Sequence, residues 1–256
     1  MQSCVTISRN SWVFIFICLL QHSLLMSDTS IIRTAESERI SHIDYFNIAI
    51  SVDCVIFGYE EKELKVLLIK SDLKEFSGLW SLLGDLVRPQ EDLDAASYRI
   101  LKERTGLDNV YLEQVHTFGA LNRHPSGRVI SVAYYSLVDI SHHQLRLTHN
   151  ELHWHKLSDL NELAFDHQLI LNKCLERIRE QVTEKPLVFN LLPEKFSLRQ
   201  LQELYQAILD VKLDRRNFRK KIMLKDWLTD LNEMEPDVPH RPGKLYKVKK
   251  GLKPLI

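Results

Sequence analysis

Residues 85–107 read DLVRPQEDLDAASYRILKERTGL. A polar loop over 81–91 leads into a helix over 92–105, opened by Asp92 or Asp94 and stopped by Gly106. Positions 100, 103 and 104 stand at i, i+3 and i+4, so they share one helix face. They hold Ile100, Glu103 and Arg104, a single carboxylate beside a permanent cation. A hard divalent cation needs clustered oxygen ligands. A guanidinium at this place repels such an ion and can pair with Glu103 instead.

The stretch resembles the Nudix box, G-x5-E-x7-R-E-U-x-E-E-x-G-U, where U is a bulky aliphatic residue. Glu91, Arg99, Leu101, Glu103, Gly106 and Leu107 match it. Asp85 stands for the first glycine, Ile100 for the glutamate after the arginine, and Arg104 for the second of the closing glutamate pair. The likeness implies a Nudix fold that has lost metal-dependent diphosphate hydrolysis and takes neither metal nor cofactor. GLWSL at 78–82 resembles the strand before the box, with Leu83 in place of a proline. Trp154, Leu157, Asp159 and Leu160 resemble a later segment, so the likeness covers residues 45–165.

Outward from the box, residues 48–57 and 64–69 are rich in β-branched and aliphatic side chains and read as strands around a polar turn, 58–63. Residues 110–118 and 129–138 read as further strands joined by the turn-rich 122–128, and 151–157 as a short one. Residues 165–182 carry helical periodicity through Leu169, Ile170, Cys174 and Ile178. A mixed sheet flanked by helices is expected.

The C-terminal part has another character. Residues 186–256 hold 15 Lys and Arg against 9 Asp and Glu, although the whole chain is neutral. A basic segment behind an acidic body points to a polyanion partner. Ser197 and Gln200 have capping-box spacing, and apolar positions 198, 201, 204, 205 and 208 form one stripe. After the connection 210–213, Asp214 caps a helix over 215–224 that turns Phe218 and Ile222 inward. Helix, short turn and basic helix match a helix-turn-helix, whose second helix enters the major groove. The alternating basic and apolar tail, 241–249, suits a β-wing on phosphates.

Both halves together resemble the Nudix-related transcriptional regulators, in which a Nudix-like sensor is fused to a winged helix-turn-helix. LDRRNFRKKI at 213–222 is similar to that family's recognition helix, FSLRQLQ at 196–202 to the helix before it, and AFDH at 164–167 to its interdomain segment. The expected fold is an α/β mixed Nudix sandwich followed by a winged helix-turn-helix domain. The expected divisions are a leader and linker (1–40), a sensor (41–165), a connecting helix (166–185) and a DNA reader (186–256). The resemblance implies a dimeric cytoplasmic regulator of a double-stranded DNA operator, with no membrane partner and no enzymatic activity. Its effector is expected to be a sugar such as L-arabinose, because the degenerate box is most like that of the arabinose-responsive repressors. The alternatives are a hydrolase of a nucleoside diphosphate derivative such as ADP-ribose, and a repressor that responds to ADP-ribose or NAD.

Arg215, Arg216, Asn217 and Arg219 are the candidate base contacts, since arginine and asparagine read guanine and adenine edges bidentately. Asn217 can equally turn toward the first helix. Lys220, Lys221, Lys244 and Lys247 suit phosphates. In the sensor the candidates are Trp80, Asp85, Arg88, Glu103, Asn122 and Arg123. Asp85 accepts from sugar hydroxyls and repels a diphosphate. Trp80 offers a ring face to a sugar or simply packs. Asn122, Arg123 and His124 lie on a strand-connecting loop, while Glu91 and Arg99 either brace loop against helix or touch ligand.

Near the N-terminus, residues 12–20 form an apolar run too short to span a bilayer as a helix. Its length suits a signal-peptide core, without a small-x-small cleavage site, and Met26 is the expected true start. Cys54 and Cys174 read as buried thiols, which fits a reducing cytoplasm. His142 and His143 read as exposed.

Overall fold

The computed structural model describes residues 48–71, 73–108, 110–140, 152–236, 239 and 241–252. The leader, the linker, Met26 and the pair His142 and His143 lie outside the described residues.

Among the described residues seven strands form the sensor sheet: β1 (Ala49–Glu60), β2 (Glu63–Lys70), β3 (Trp80–Ser81), β4 (Leu83–Leu86), β5 (Glu113–Phe118), β6 (Val129–Val138) and β7 (Leu152–Lys156). Their order is β3-β2-β1-β6-β5, with β4 also on β1 and β7 on β2. β1 and β6 run parallel, Cys54 opposite Tyr134, and the other pairs are antiparallel. Side chains alternate between two cores. Val55, Phe57, Val66, Leu68 and Tyr135 face one side, and Cys54, Ile56, Leu67, Val132 and Tyr134 the other. Both faces are covered, which is why these strands read as near-continuous apolar runs.

Helix α1 (Leu93–Thr105) covers the second face with Ala96, Ile100 and Leu101. Asp92 is its N-cap, accepting the Ala95 N–H at 2.7 Å, and Asp94 lies in the first turn. Gly106 ends it in the left-handed region (φ 73°), which a side chain would disfavour. Several boundaries differ from expectation. The polar turn shrinks to Glu61 and Lys62, both at positive φ, because a two-residue hairpin of this type follows the strand twist. The loop over 81–91 contains β4, so Asp85 sits on a strand opposite Val52.

Helix α2 (His167–Gln181) begins two residues later than its periodicity suggests, after Phe165 at φ 57°. It covers the first sheet face and leads through a 3-10 turn (Pro186–Leu191) into the reader. There β8 (Phe196–Ser197), α3 (Leu198–Leu209), α4 (Arg215–Leu224), β9 (Leu228–Met234) and β10 (Lys244–Val248) follow, with strand order β8-β10-β9. The capping box is complete: the Ser197 N–H donates to Gln200 Oε1 at 2.8 Å and the Gln200 N–H to Ser197 Oγ at 3.4 Å. Asp214 caps α4 through the Asn217 N–H at 2.8 Å.

Sensor and reader share one core. Phe57, Leu68 and Tyr135 of the sheet, Ile170 and Ile178 of α2, and Leu201 and Leu204 of α3 belong to a single cluster. Tyr205 Oη donates to the Val182 carbonyl at 3.0 Å, and Arg179 Nε to that of Ile208 at 2.7 Å. Cys54 and Cys174 are both fully buried, and burial raises both thiols, Cys174 to about 12. Among the described residues, no helix is long and apolar enough to cross a membrane.

Candidate effector and DNA sites

A cavity of about 290 Å³ opens between β1, β3, β4, the end of α1 and the start of α2. Asp53, Arg123 and His167 line it, their side chains all nearly buried. Asp53 accepts a short hydrogen bond from Ser131 Oγ and lies 3.6 Å from His167 Nε2 and 4.0 Å from an Arg123 nitrogen. Arg123 also holds Asp166 through two bonds of 2.6 and 2.9 Å. The Leu82 N–H donates to His167 Nδ1 at 3.0 Å. An accepting Nδ1 puts the proton of the neutral ring on Nε2, toward Asp53. Burial lowers the His167 pKa and favours that neutral form. A Cβ on Gly84 would collide with Asp53 Oδ1, so the close approach of β4 to β1 requires glycine there. Phe165 stacks on His124, 5.0 Å between ring centres.

Beside this cavity the box residues form an arginine-centred network. Arg99 meets Glu91 at 2.6 and 2.9 Å, Asp85 at 3.2 Å, Glu103 at 3.2 Å and the Leu86 carbonyl at 3.0 Å. Arg88 takes the other oxygen of Glu103 at 3.3 Å. The Arg99 hydrogen bonds, and then the Arg88 N–H, hold the Glu91 pKa down at about 2. A divalent cation, which the carboxylates of an intact Nudix box would hold, does not fit this donor set. Ile100 is in the core at 1% exposure, Arg104 is a cation, and Glu91 and Glu103 are engaged by arginines. Among the described residues no group of three or more His, Cys, Asp or Glu is placed to hold a metal.

Of the six sensor candidates, Asp85 and Arg123 line the cavity. Trp80, Arg88, Glu103 and Asn122 do not. Trp80 packs against His153 and His155 with Lys70 above its ring, while Arg88 and Glu103 pair with each other outside the cavity. Asn122 takes a turn conformation at φ 60°. Asp53, Arg104 and His167 were not anticipated as cavity residues. The acid inside the apolar run of β1 was the available signal for Asp53, since a buried carboxylate needs partners.

On the reader, Phe218 and Ile222 pack inward and the six other polar or charged positions 215–217 and 219–221 are exposed. Arg215 and Arg219 share a small recess with Arg199 of α3 and Lys244 of the wing. Asn217 and Lys221 lie on the opposite flank, lining a groove with Thr183 and Leu213. Arg216 and Lys220 are exposed on α4, and Lys247 is half-buried on β10. Lys244 pairs with Asp230 at 2.8 Å. The strand β9 went unread because only Leu228 of its seven residues is buried.

Residues 48–177 match the model of the NUDIX domain, and residues 188–248 that of the NrtR DNA-binding winged helix domain. The ADPR responsive transcriptional repressor NtrR of Acinetobacter baylyi is 31% identical over 209 residues, 80% of this chain and 83% of that protein. The ADP-ribose pyrophosphatase of Methanocaldococcus jannaschii is 33% identical over 129 residues, 50% of this chain and 73% of that one. The crystal structure of Shewanella oneidensis NrtR complexed with a 27mer DNA matches with a TM-score of 0.70 at 29% identity, covering 78% of this chain and 93% of that chain. Fold and sites thus define a transcriptional regulator with a Nudix sensor domain and a DNA-binding winged helix. The chain belongs to the NrtR-type members of that class. None of these relatives is named for a pentose, and the expected likeness to arabinose-responsive repressors finds no support among them.

Proposed function

We propose that this protein is a cytoplasmic transcriptional repressor whose Nudix domain binds ADP-ribose, or a nucleoside diphosphate derivative like it, without hydrolysing it. The observation that carries the reading is the shared core. It ties a cavity-bearing sensor to a capped basic helix beside a wing, so ligand and operator act on one body. The resemblance to an ADPR responsive repressor over 80% of the chain favours ADP-ribose over L-arabinose. Loss of metal ligands bears on chemistry and says nothing about which ligand stays, so the degenerate box gives no ground for a sugar. In a two-fold dimer two α4 helices would lie about one DNA turn apart on a palindromic operator. The effector must bind the DNA-competent and DNA-incompetent arrangements unequally, since equal affinity shifts nothing.

A gel-shift on the chain's own upstream region tests this. ADP-ribose is expected to change operator occupancy, and L-arabinose to leave it unchanged. An operator complex indifferent to ADP-ribose and NAD at millimolar concentration would sink the effector assignment. The likeness to an ADP-ribose pyrophosphatase favours hydrolysis as the second reading. Metal-dependent turnover of ADP-ribose, abolished by Glu103→Gln, would promote it.

A further inference from the structure

The charges around the sensor cavity do not cancel. Asp53 is met by Ser131, His167 and Arg123, and Arg123 is itself clamped to Asp166. Asp85 is met by Arg99 from outside the cavity. Two cations are left over. Arg104, half-buried on the last turn of α1, lines the cavity, and its guanidinium has no hydrogen bond or ion pair among the described residues. Lys70, at the end of β2, lines it too. Among the described residues the only partner of its ammonium is the face of Trp80, 5.0 Å from the ring centre. The other arginines of the box are all paired, Arg88 with Glu103 and Arg99 with Glu91, so Arg104 stands apart from them.

We propose that Arg104, assisted by Lys70, binds the diphosphate of the effector directly, so that the sensor recognises it without a metal ion. The proposal rests on the ADP-ribose reading above and adds its mode of recognition. A diphosphate diester carries two negative charges, which two uncompensated cations facing one cavity match. A guanidinium is a planar fork of donors that can take two phosphate oxygens at once, whereas an ammonium acts as a point charge. The same two cations repel a divalent ion. Asp85 does not oppose the anion strongly, because one of its oxygens meets Arg99 and the other accepts the Leu86 N–H at 2.8 Å. Position 104 thus decides both which ligand chemistry enters and that no metal accompanies it.

Calorimetric titration of the full chain with ADP-ribose and with adenosine, in excess EDTA and in millimolar magnesium, tests this. Wild type is expected to bind ADP-ribose equally in both buffers. Arg104→Gln is expected to bind it roughly tenfold to a hundredfold more weakly, the range for losing charge-assisted hydrogen bonds. Arg104→Lys is expected to fall between, keeping the charge and losing the fork. Adenosine, which lacks phosphates, is expected to bind both proteins alike. ADP-ribose binding that needs magnesium, or that Arg104→Gln leaves intact, overturns the proposal and spares the effector assignment. An equal loss of adenosine binding in Arg104→Gln overturns it too, by showing a structural effect. Failure of wild type to bind ADP-ribose in either buffer removes the effector assignment and this proposal together.

Discussion

Arg99 grips Glu91 as a fork, Nη2 to Oε1 at 2.6 Å and Nε to Oε2 at 2.9 Å, and so fastens the loop after β4 to helix α1. The same arginine reaches Asp85 on β4 and Glu103 one turn along α1. Arg99 and Glu91 both match the Nudix pattern, and their visible work is to lock a loop.

That lock is expected to be acid-sensitive. Glu91 has a pKa of about 2 in the folded chain against an ordinary 4.5. A depressed carboxylate contributes stability that is complete above its unfolded value and disappears as pH falls through the folded one. Acid unfolding of wild type followed by circular dichroism should therefore steepen between those two values. Glu91→Gln should be less stable at neutral pH and flatter across that window. Parallel curves for the two proteins would contradict this.

Restoring the box glutamate at position 100 is expected to damage the fold before it helps any chemistry. Ile100 is 1% exposed in the apolar cluster that holds Cys54, Leu101 and Val132, where a carboxylate would be taken out of water. Ile100→Glu should lose on the order of 3–5 kcal/mol in urea unfolding, the scale of an uncompensated buried charge.

Within the reader, the two flanks of α4 should behave differently. Arg219→Ala is expected to weaken operator binding by roughly tenfold to a hundredfold and to relax sequence preference. Asn217→Ala should change it far less, because Asn217 lies on the flank away from the wing. Lys247→Ala should weaken binding to all sequences alike and lower the salt slope by roughly one. Fluorescence anisotropy on operator and scrambled DNA separates these effects. A stronger loss in Asn217→Ala than in Arg219→Ala would mean that the opposite flank of α4 faces the bases.

The Tyr205 hydroxyl joins α3 to the end of α2 through the Val182 carbonyl. Tyr205→Phe should lose about 1 kcal/mol, the usual net worth of one such bond. The ring stays beside Phe218, 5.2 Å between centres, so the recognition helix should keep its seat. Intact operator affinity with a lower urea midpoint is the expected pair of readings.

Legibility in the sequence followed the local physics. Caps and apolar periods placed α1, α3 and α4 closely, because Asp92, Ser197, Asp214 and Gly106 act within a few residues of themselves. The DNA face was readable because its charge is contiguous along one helix. The effector cavity was not, because Asp53, Arg123 and His167 come from three distant segments and meet only after β1 pairs with β6. For Trp80 the sequence left packing and ligand contact both open, because its neighbours His153 and His155 arrive from β7, on the far edge of β2. The wing strand β9 was missed because an exposed, polar edge strand carries almost no apolar period.

The single core that runs from Phe57 through Ile178 to Leu201 has a consequence for how such proteins can be recombined. Cutting the chain between α2 and the 3-10 turn would open apolar surface on both pieces. Exchange of readers between relatives would have to carry α2 along with its matching sheet face. Sensor and reader fall in one compact unit, 49–256, so heating should unfold the two in one calorimetric transition rather than in separate ones.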